Sequence, residues 1–210
     1  MLVSSGLALA KLDLPRLERV TLTDFVPAIV KNIAKSAGLN RTPQGGPLPV
    51  RAALCDWAAE CERTGLHSAH GWPGSDDAGE GLPPILASGL RFDLCVCADV
   101  LYEEDHPELV AGVVRKRLRP GGRFVMHASI RSCAILTSFL AHLQKICSEV
   151  RTMPAEQLDD DDEIVQTPTM QDASAYEGGI VVVTAIRNSL PADSHDAASH
   201  DVATLGTCSS

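Results

Sequence analysis

The sequence predicts an α/β fold: an open, doubly wound, mostly parallel sheet whose last strand is antiparallel. Three observations predict it. Short β-branched or apolar runs alternate with segments of helical period, the pattern of crossover-connected strands. Polar side chains gather just after the apolar runs, where such sheets hold their ligands. The last strong strand is reached through a loop, so it is free to insert antiparallel.

Residues 6–12 (GLALAKL) read as a short helix that ends before Pro15. Residues 19–23 (RVTLT) are β-branched and strand-like, and Asp24 follows at the carboxyl end. Pro27 suits a first helical turn, and Val26, Ile29, Val30, Ile33, Ala34 and Ala37 repeat at helical spacing, with Gly38 placed to close the helix. A Gly/Pro loop leads to a strand over 50–55 in which Val50, Ala52 and Leu54 alternate. Residues 58–91 are rich in Gly, Pro, Ser and Asp and read as an insertion loop with one helical turn.

Order returns at 92–98 (FDLCVCA), a near-continuous apolar run of the kind that is buried on both faces, with Cys95 and Cys97 two apart on one of them. A helix over 108–118 turns Leu109, Val110, Val113, Val114 and Leu118 inward. Residues 119–122 (RPGG) form a turn, 123–128 a strand, 135–147 a longer helix and 149–153 a short strand. An acidic loop over 154–178 precedes the last strand, 179–186. The domain is thus 1–187, and 188–210 is a tail of disordered composition.

With 45% hydrophobic residues, 210 residues suffice for one packed core. A net charge of −9 speaks against a nucleic-acid partner, which needs a basic face, while leaving a basic protein partner open. Seven cysteines without a CxxC pair suggest reduced, buried thiols. Cys55, Cys61, His67 and His70 match no common zinc spacing, so no metal is expected. There is no basic leader, and no apolar run approaches the length that spans a bilayer; the expectation is a soluble protein of the cytoplasm or nucleus without a membrane partner.

Four polar stretches fall at the strands' carboxyl ends: Asp24, then Asp56 and Trp57, then Asp99 through Tyr102, then 127–131. Asp24 can accept hydrogen bonds from both ribose hydroxyls of a nucleoside, or serve the dipole of the helix that follows. Trp57 can cover an adenine face with Asp56 on the exocyclic amine, or simply cover the sheet edge. Asp99 and Tyr102, three apart on one emerging turn, can face a common crevice.

The ordered set VTLTDF, the Asp56-Trp57 pair, FDL followed by ADVLYE, RPGGRF and the final GGIVVVTAIR resembles the class I seven-strand S-adenosylmethionine-dependent methyltransferases. More closely, it resembles family 16, the methyltransferase-like group that modifies protein lysines, over about 6–187. The resemblance implies a Rossmann-like fold, S-adenosylmethionine as cofactor, and a protein lysine as acceptor, with the substrate protein as partner. It implies that Asp24 binds ribose, Trp57 stacks on adenine beside Asp56, and Ala98 lines the cofactor pocket. Asp99 and Tyr102 fall on the group's D-x-x-Y motif, tied to substrate binding and activity. Members of the group begin with a strand and a Gly-rich loop just before the helix matching GLALAKL, and only residues 1–5 precede Gly6. The expectation is therefore a sheet lacking its first strand, whose flanking strands either pair directly or leave open edges. A non-catalytic binding module of the same fold is the alternative. An NAD or nucleotide-sugar enzyme would also place an acid after its second strand, but ADVLYE and the terminal strand speak against it.

Overall fold

A computed structural model of the chain describes residues 7, 8, 10, 11, 17–61, 83–155 and 178–189. Leu7, Ala8, Ala10 and Lys11 are helical. Strand β1 (Val20–Asp24) pairs in parallel with β2 (Val50–Leu54) from Val20↔Val50 to Asp24↔Leu54. Between them runs helix α1 (Pro27–Leu39), started by its proline and packed on the pair through Val30 and Ile33. Ile29 stays exposed, and Gly38 lies inside the helix, whose C-cap is Asn40. Ala53, and not the alternating Val50, Ala52 and Leu54, is the fully buried residue of β2.

After β2 comes the short helix α2 (Trp57–Glu60). Most of the predicted insertion loop lies outside the described residues, but its last part returns to the sheet. Leu54 donates to the Pro84 carbonyl and accepts from Leu86 N–H, making a bridge to Ile85. Then follow β3 (Phe92–Ala98), α3 (His106–Arg117), β4 (Leu118–Ser129), α4 (Cys133–Gln144), β5 (Cys147–Pro154) and β6 (Ile180–Arg187). These strands form a second sheet in the order β3-β4-β6-β5, parallel between β3 and β4 and antiparallel at both edges of β6. The antiparallel last strand is as the sequence predicts. The acidic run 159–163 and the tail from 190 onward lie outside the described residues.

The RPGG turn is real but does not interrupt β4. Gly121 has φ +74°, and the register slips there, so Leu118 faces Phe92 while Arg123 faces Leu94. A side chain at Gly122 would put a Cβ 2.8 Å from the Arg119 carbonyl oxygen, so the slip requires glycine. α3 starts two residues before the predicted 108, and its last turn carries Arg115, Lys116 and Arg117, where cations suit the dipole.

The main core lies between the second sheet and α3 with α4. Phe124, Met126, Val181 and Val183 from the strands meet Val114, Phe139 and Leu143 from the helices, all essentially inaccessible. Cys95 and Cys97 pack together on this side, as their spacing predicts. The opposite face of β3 departs from the sequence reading: Leu94 and Val96 are 41% and 47% exposed, so the strand is buried on one face only. β1 and β3 belong to different sheets and do not pair, so their outer edges are open among the described residues.

Candidate functional site

The carboxyl ends of β1, β2, β3 and β4 carry the residues singled out from sequence. Asp24 ends β1; its Oδ1 accepts from Val26 N–H at 2.8 Å, turning the chain into α1, and its carbonyl accepts from Cys55 N–H at 3.0 Å. Asp56 caps α2, its Oδ1 accepting from Ala58 N–H at 2.9 Å and Ala59 N–H at 3.4 Å. Each acid thus spends Oδ1 on the backbone, which fixes the direction of the carboxylate. Since Asp24 and Leu54 are register partners, Asp24, Asp56 and Trp57 lie at one edge of one sheet.

α2 is too short to hold itself and is fastened from below. Arg117, buried to 2% exposure at the end of α3, pairs with both oxygens of Glu60, and its Nη1 also faces the carbonyls of Ala87, Ser88 and Leu90 at 2.5, 3.0 and 3.2 Å. Lys116 adds a 3.4 Å contact to Glu60. Cys61 completes the fastening: its thiol donates to the Leu109 carbonyl at 3.4 Å and fills the space beside Gly112. Glu60, Arg117 and Gly112 were not singled out from sequence. A lone Glu and an Arg 57 positions later leave no local signal.

At the end of β3, Ala98 is buried and Asp99 adopts φ +48°, a left-handed conformation that Asp tolerates better than most residues. Its amide donates to the His127 carbonyl at 2.9 Å, and its Oδ1 accepts from Ser129 N–H at 2.8 Å. Asp99 therefore ties the tip of β3 to the tip of β4. Tyr102, 43% exposed, carries the Arg131 guanidinium 4.5 Å over its ring. His106 stands edge-on to Tyr102 at 6.0 Å and to Trp57 at 5.6 Å. His106 Nδ1 is 3.2 Å from Tyr102 N and 2.9 Å from the Val100 carbonyl; the ring tautomer decides which of the two it engages.

The result is a continuous row, Trp57, His106, Tyr102 and Arg131, running from the end of β2 to the loop after β4. Sequence reasoning named Trp57 and Tyr102, included Arg131 only within a polar stretch, and missed His106. Asp24 ends β1 opposite Leu54, at the same sheet edge as Trp57. A hollow of about 480 Å³ lined by Gly38, Arg41, Leu48 and Val50 lies at the opposite, amino end of β2, away from this chemistry.

Four cysteines are held as thiols by their surroundings. Burial, with Glu60 next, pushes the Cys55 thiol up to about 12; burial does the same to Cys95 and Cys97, and raises Cys147 to about 11. His67 and His70 lie outside the described residues, and among those described no cluster of three His, Cys, Asp or Glu could hold a metal. No helix among the described residues is long and apolar enough to cross a membrane.

No protein-family model and no curated protein matches the sequence. Among solved structures, the chain is similar to the N-methyltransferase NodS from Bradyrhizobium japonicum WM9 in complex with S-adenosyl-L-homocysteine. The identity is 16%, the TM-score 0.50, and the match covers 90% of this chain and 75% of that one. It is also similar to the [4+2]-cyclase SpnF, at 11% identity and TM-score 0.48 over 87% of this chain and 69% of that one. At such identity the NodS likeness shows the fold alone: α/β and Rossmann-like, mostly parallel with one antiparallel strand.

Proposed function

We propose that this chain is an S-adenosylmethionine-dependent methyltransferase domain whose acceptor is a lysine side chain of a protein. The observation that carries the transferase reading is that Asp24 and Ala98 end strands, and Asp56 and Trp57 follow one, at the carboxyl ends of the parallel pairs β1-β2 and β3-β4 in a chain whose fold is similar to that of NodS. The residues present fit the nucleoside end of the cofactor. Asp24 retains one carboxylate oxygen for ribose hydroxyls, Asp56 retains one for an exocyclic amine, and Trp57 offers an indole to adenine. Ala98 contributes a small wall. When bound, the cofactor supplies an electrophilic methyl group on a sulfonium.

Methyl transfer is an in-line displacement, so the chain's task is to position and desolvate the amine. A free lysine, with a pKa near ~10.4, must lose a proton first, and an aromatic wall such as Tyr102 disfavours its charged form. The lysine reading is supported by the D-x-x-Y resemblance at Asp99 and Tyr102 and by Glu103 and Glu104 exposed beside them. Arg131 covers one face of Tyr102, so the amine would come to the other face or to the hydroxyl. Asp99, engaged by Ser129, would hold the Tyr102 turn in place.

The test has two arms. Calorimetric titration with S-adenosylhomocysteine should show binding that weakens about tenfold or more, some 1.4 kcal/mol, in Asp24→Ala and in Trp57→Ala. Transfer from labelled S-adenosylmethionine into cell protein should yield methyl-lysine on acid hydrolysis, and Tyr102→Ala should abolish it with cofactor affinity kept. Affinity untouched by both cofactor-side variants would overturn the transferase reading; label on another acceptor would overturn lysine alone. Binding without transfer would favour a non-catalytic binding module, which the engaged carboxylate of Asp99 also suits.

A further inference from the structure

Side chains from separate segments meet at one imidazole, that of His106. Its backbone is held: it begins α3, its amide donates to the Glu103 carbonyl at 3.2 Å, and Pro107 and Leu109 after it are buried. From this mount the ring stands nearly perpendicular to the Trp57 indole, at 5.6 Å and 86°, and to the Tyr102 ring, at 6.0 Å and 81°. Both separations are those of favourable edge-to-face contact. Nδ1 meets the backbone of the turn that carries Tyr102, at 2.9 Å from the Val100 carbonyl and 3.2 Å from the Tyr102 amide.

The two kinds of contact do different things. A bond from Nδ1 to the turn requires only a polar atom at that place, which an amide side chain also supplies. The ring contact with Trp57 has no part in that bond, and it joins the turn to the first residue of α2. The turn is fixed at its start, where Asp99 accepts from Ser129 and where Val100 and Leu101 are buried; Tyr102, Glu103 and Glu104 after them are exposed. His106 thus bonds the turn where it leaves the core, and does so beside the indole. An aromatic side chain with a ligand stacked on it loses rotamer freedom, and its packed neighbours share in that loss.

We propose that His106 is a positioning residue joining the two halves of the site: adenine seated on Trp57 steadies, through the imidazole, the turn that presents Tyr102 to the acceptor. It rests on the transferase reading and adds an order of events to it, since the acceptor side is firmest once the cofactor is in place.

Two substitutions separate the contacts. His106→Asn keeps a polar group near the place of Nδ1 and removes the rest of the ring, while His106→Phe keeps a ring and removes the nitrogen. The readouts, on the full chain, are calorimetric affinity for S-adenosylhomocysteine and hydrogen–deuterium exchange of residues 100–105 with and without it. In the parent, S-adenosylhomocysteine should slow exchange of the turn by about threefold or more. His106→Asn should bind it about threefold or more weakly and, at saturation, show no slowing. His106→Phe should keep affinity within about twofold, exchange the turn about tenfold faster, and lower kcat about tenfold with the cofactor KM unchanged. Variants that match the parent would overturn the proposal. So would variants that both lose affinity and protection together, as a merely structural role would make them do. Should His106→Phe not fold, by circular dichroism, His106→Asn decides alone. Asp24→Ala and Trp57→Ala tell the two readings apart. If they keep cofactor affinity, the transferase reading fails and the role of His106 with it; if they lose it beside parent-like His106 variants, the role of His106 alone is overturned.

Discussion

The carboxylate of Asp99 accepts the Ser129 amide at 2.8 Å while Asp99 itself holds φ +48°, so one residue both turns the chain out of β3 and fastens that turn to β4. Asp99→Ala loses the acceptor and the tolerance of left-handed backbone and should cost about 1–2 kcal/mol. Asp99→Asn keeps both and should stay within about 0.5 kcal/mol of the parent. Urea unfolding of the two variants checks the contrast. Equal destabilisation would mean that the negative charge, and not the geometry, matters at this turn.

Glu60 and Arg117 form a second such link, and this one is out of water. Glu60→Ala leaves the Arg117 guanidinium buried beside three carbonyls, without its counter-charge. The expected loss is about 3–5 kcal/mol, as for other buried pairs with one partner removed. Thermal unfolding measures it. A loss below about 1 kcal/mol, the worth of a surface pair, would show that water reaches the arginine.

Gly112 and Cys61 set how closely α2 approaches α3. A methyl group at Gly112 would overlap the Cys61 sulfur, so Gly112→Ala should destabilise the chain by about 1–3 kcal/mol despite the better helix propensity of alanine. Adding Cys61→Ala removes the sulfur and should recover most of that loss. The double-mutant cycle by urea unfolding should give a coupling above about 0.5 kcal/mol; additive effects would place the strain elsewhere.

The buried thiols make stability fall in alkali. Cys55, Cys95 and Cys97 ionise at about 12 in the folded chain against 9.0 for a free thiol. Between those values the unfolded chain releases protons that the folded chain keeps, so the stabilising contribution is whole below pH 9 and is lost as pH rises towards 12. Each thiol contributes a slope of up to about 1.4 kcal/mol per pH unit in that window. Denaturation midpoints measured from pH 8 to pH 10.5 should decline, and the Cys95→Ala variant should decline less steeply. Identical slopes would show that Cys95 is open to water.

Much of the fold is written in local pattern, and that is why it could be read. β1, β3 and β6 fall where their apolar runs stand, and Cys95 and Cys97 share the face that a two-residue period requires, whereas β4 and β5 begin earlier than read, at Leu118 and Cys147, inside the segments read as the ends of helices. The polar residues that follow those runs do lie at the carboxyl ends, because chain direction alone puts Asp24, Trp57, Ala98 and Asp99 there once the strands are parallel. What tertiary structure alone decided are the relations between residues far apart in the chain. The Asp99 carboxylate is engaged by an amide 30 residues on, and Arg117 is buried because Glu60 meets it from 57 residues away. FDLCVCA reads as a strand buried on both faces, yet it is covered on one, since burial depends on which elements arrive over a face and not on the strand's own composition. The row of Trp57, His106, Tyr102 and Arg131 follows from the same fact: its members come from three separate segments, and only folding makes them neighbours.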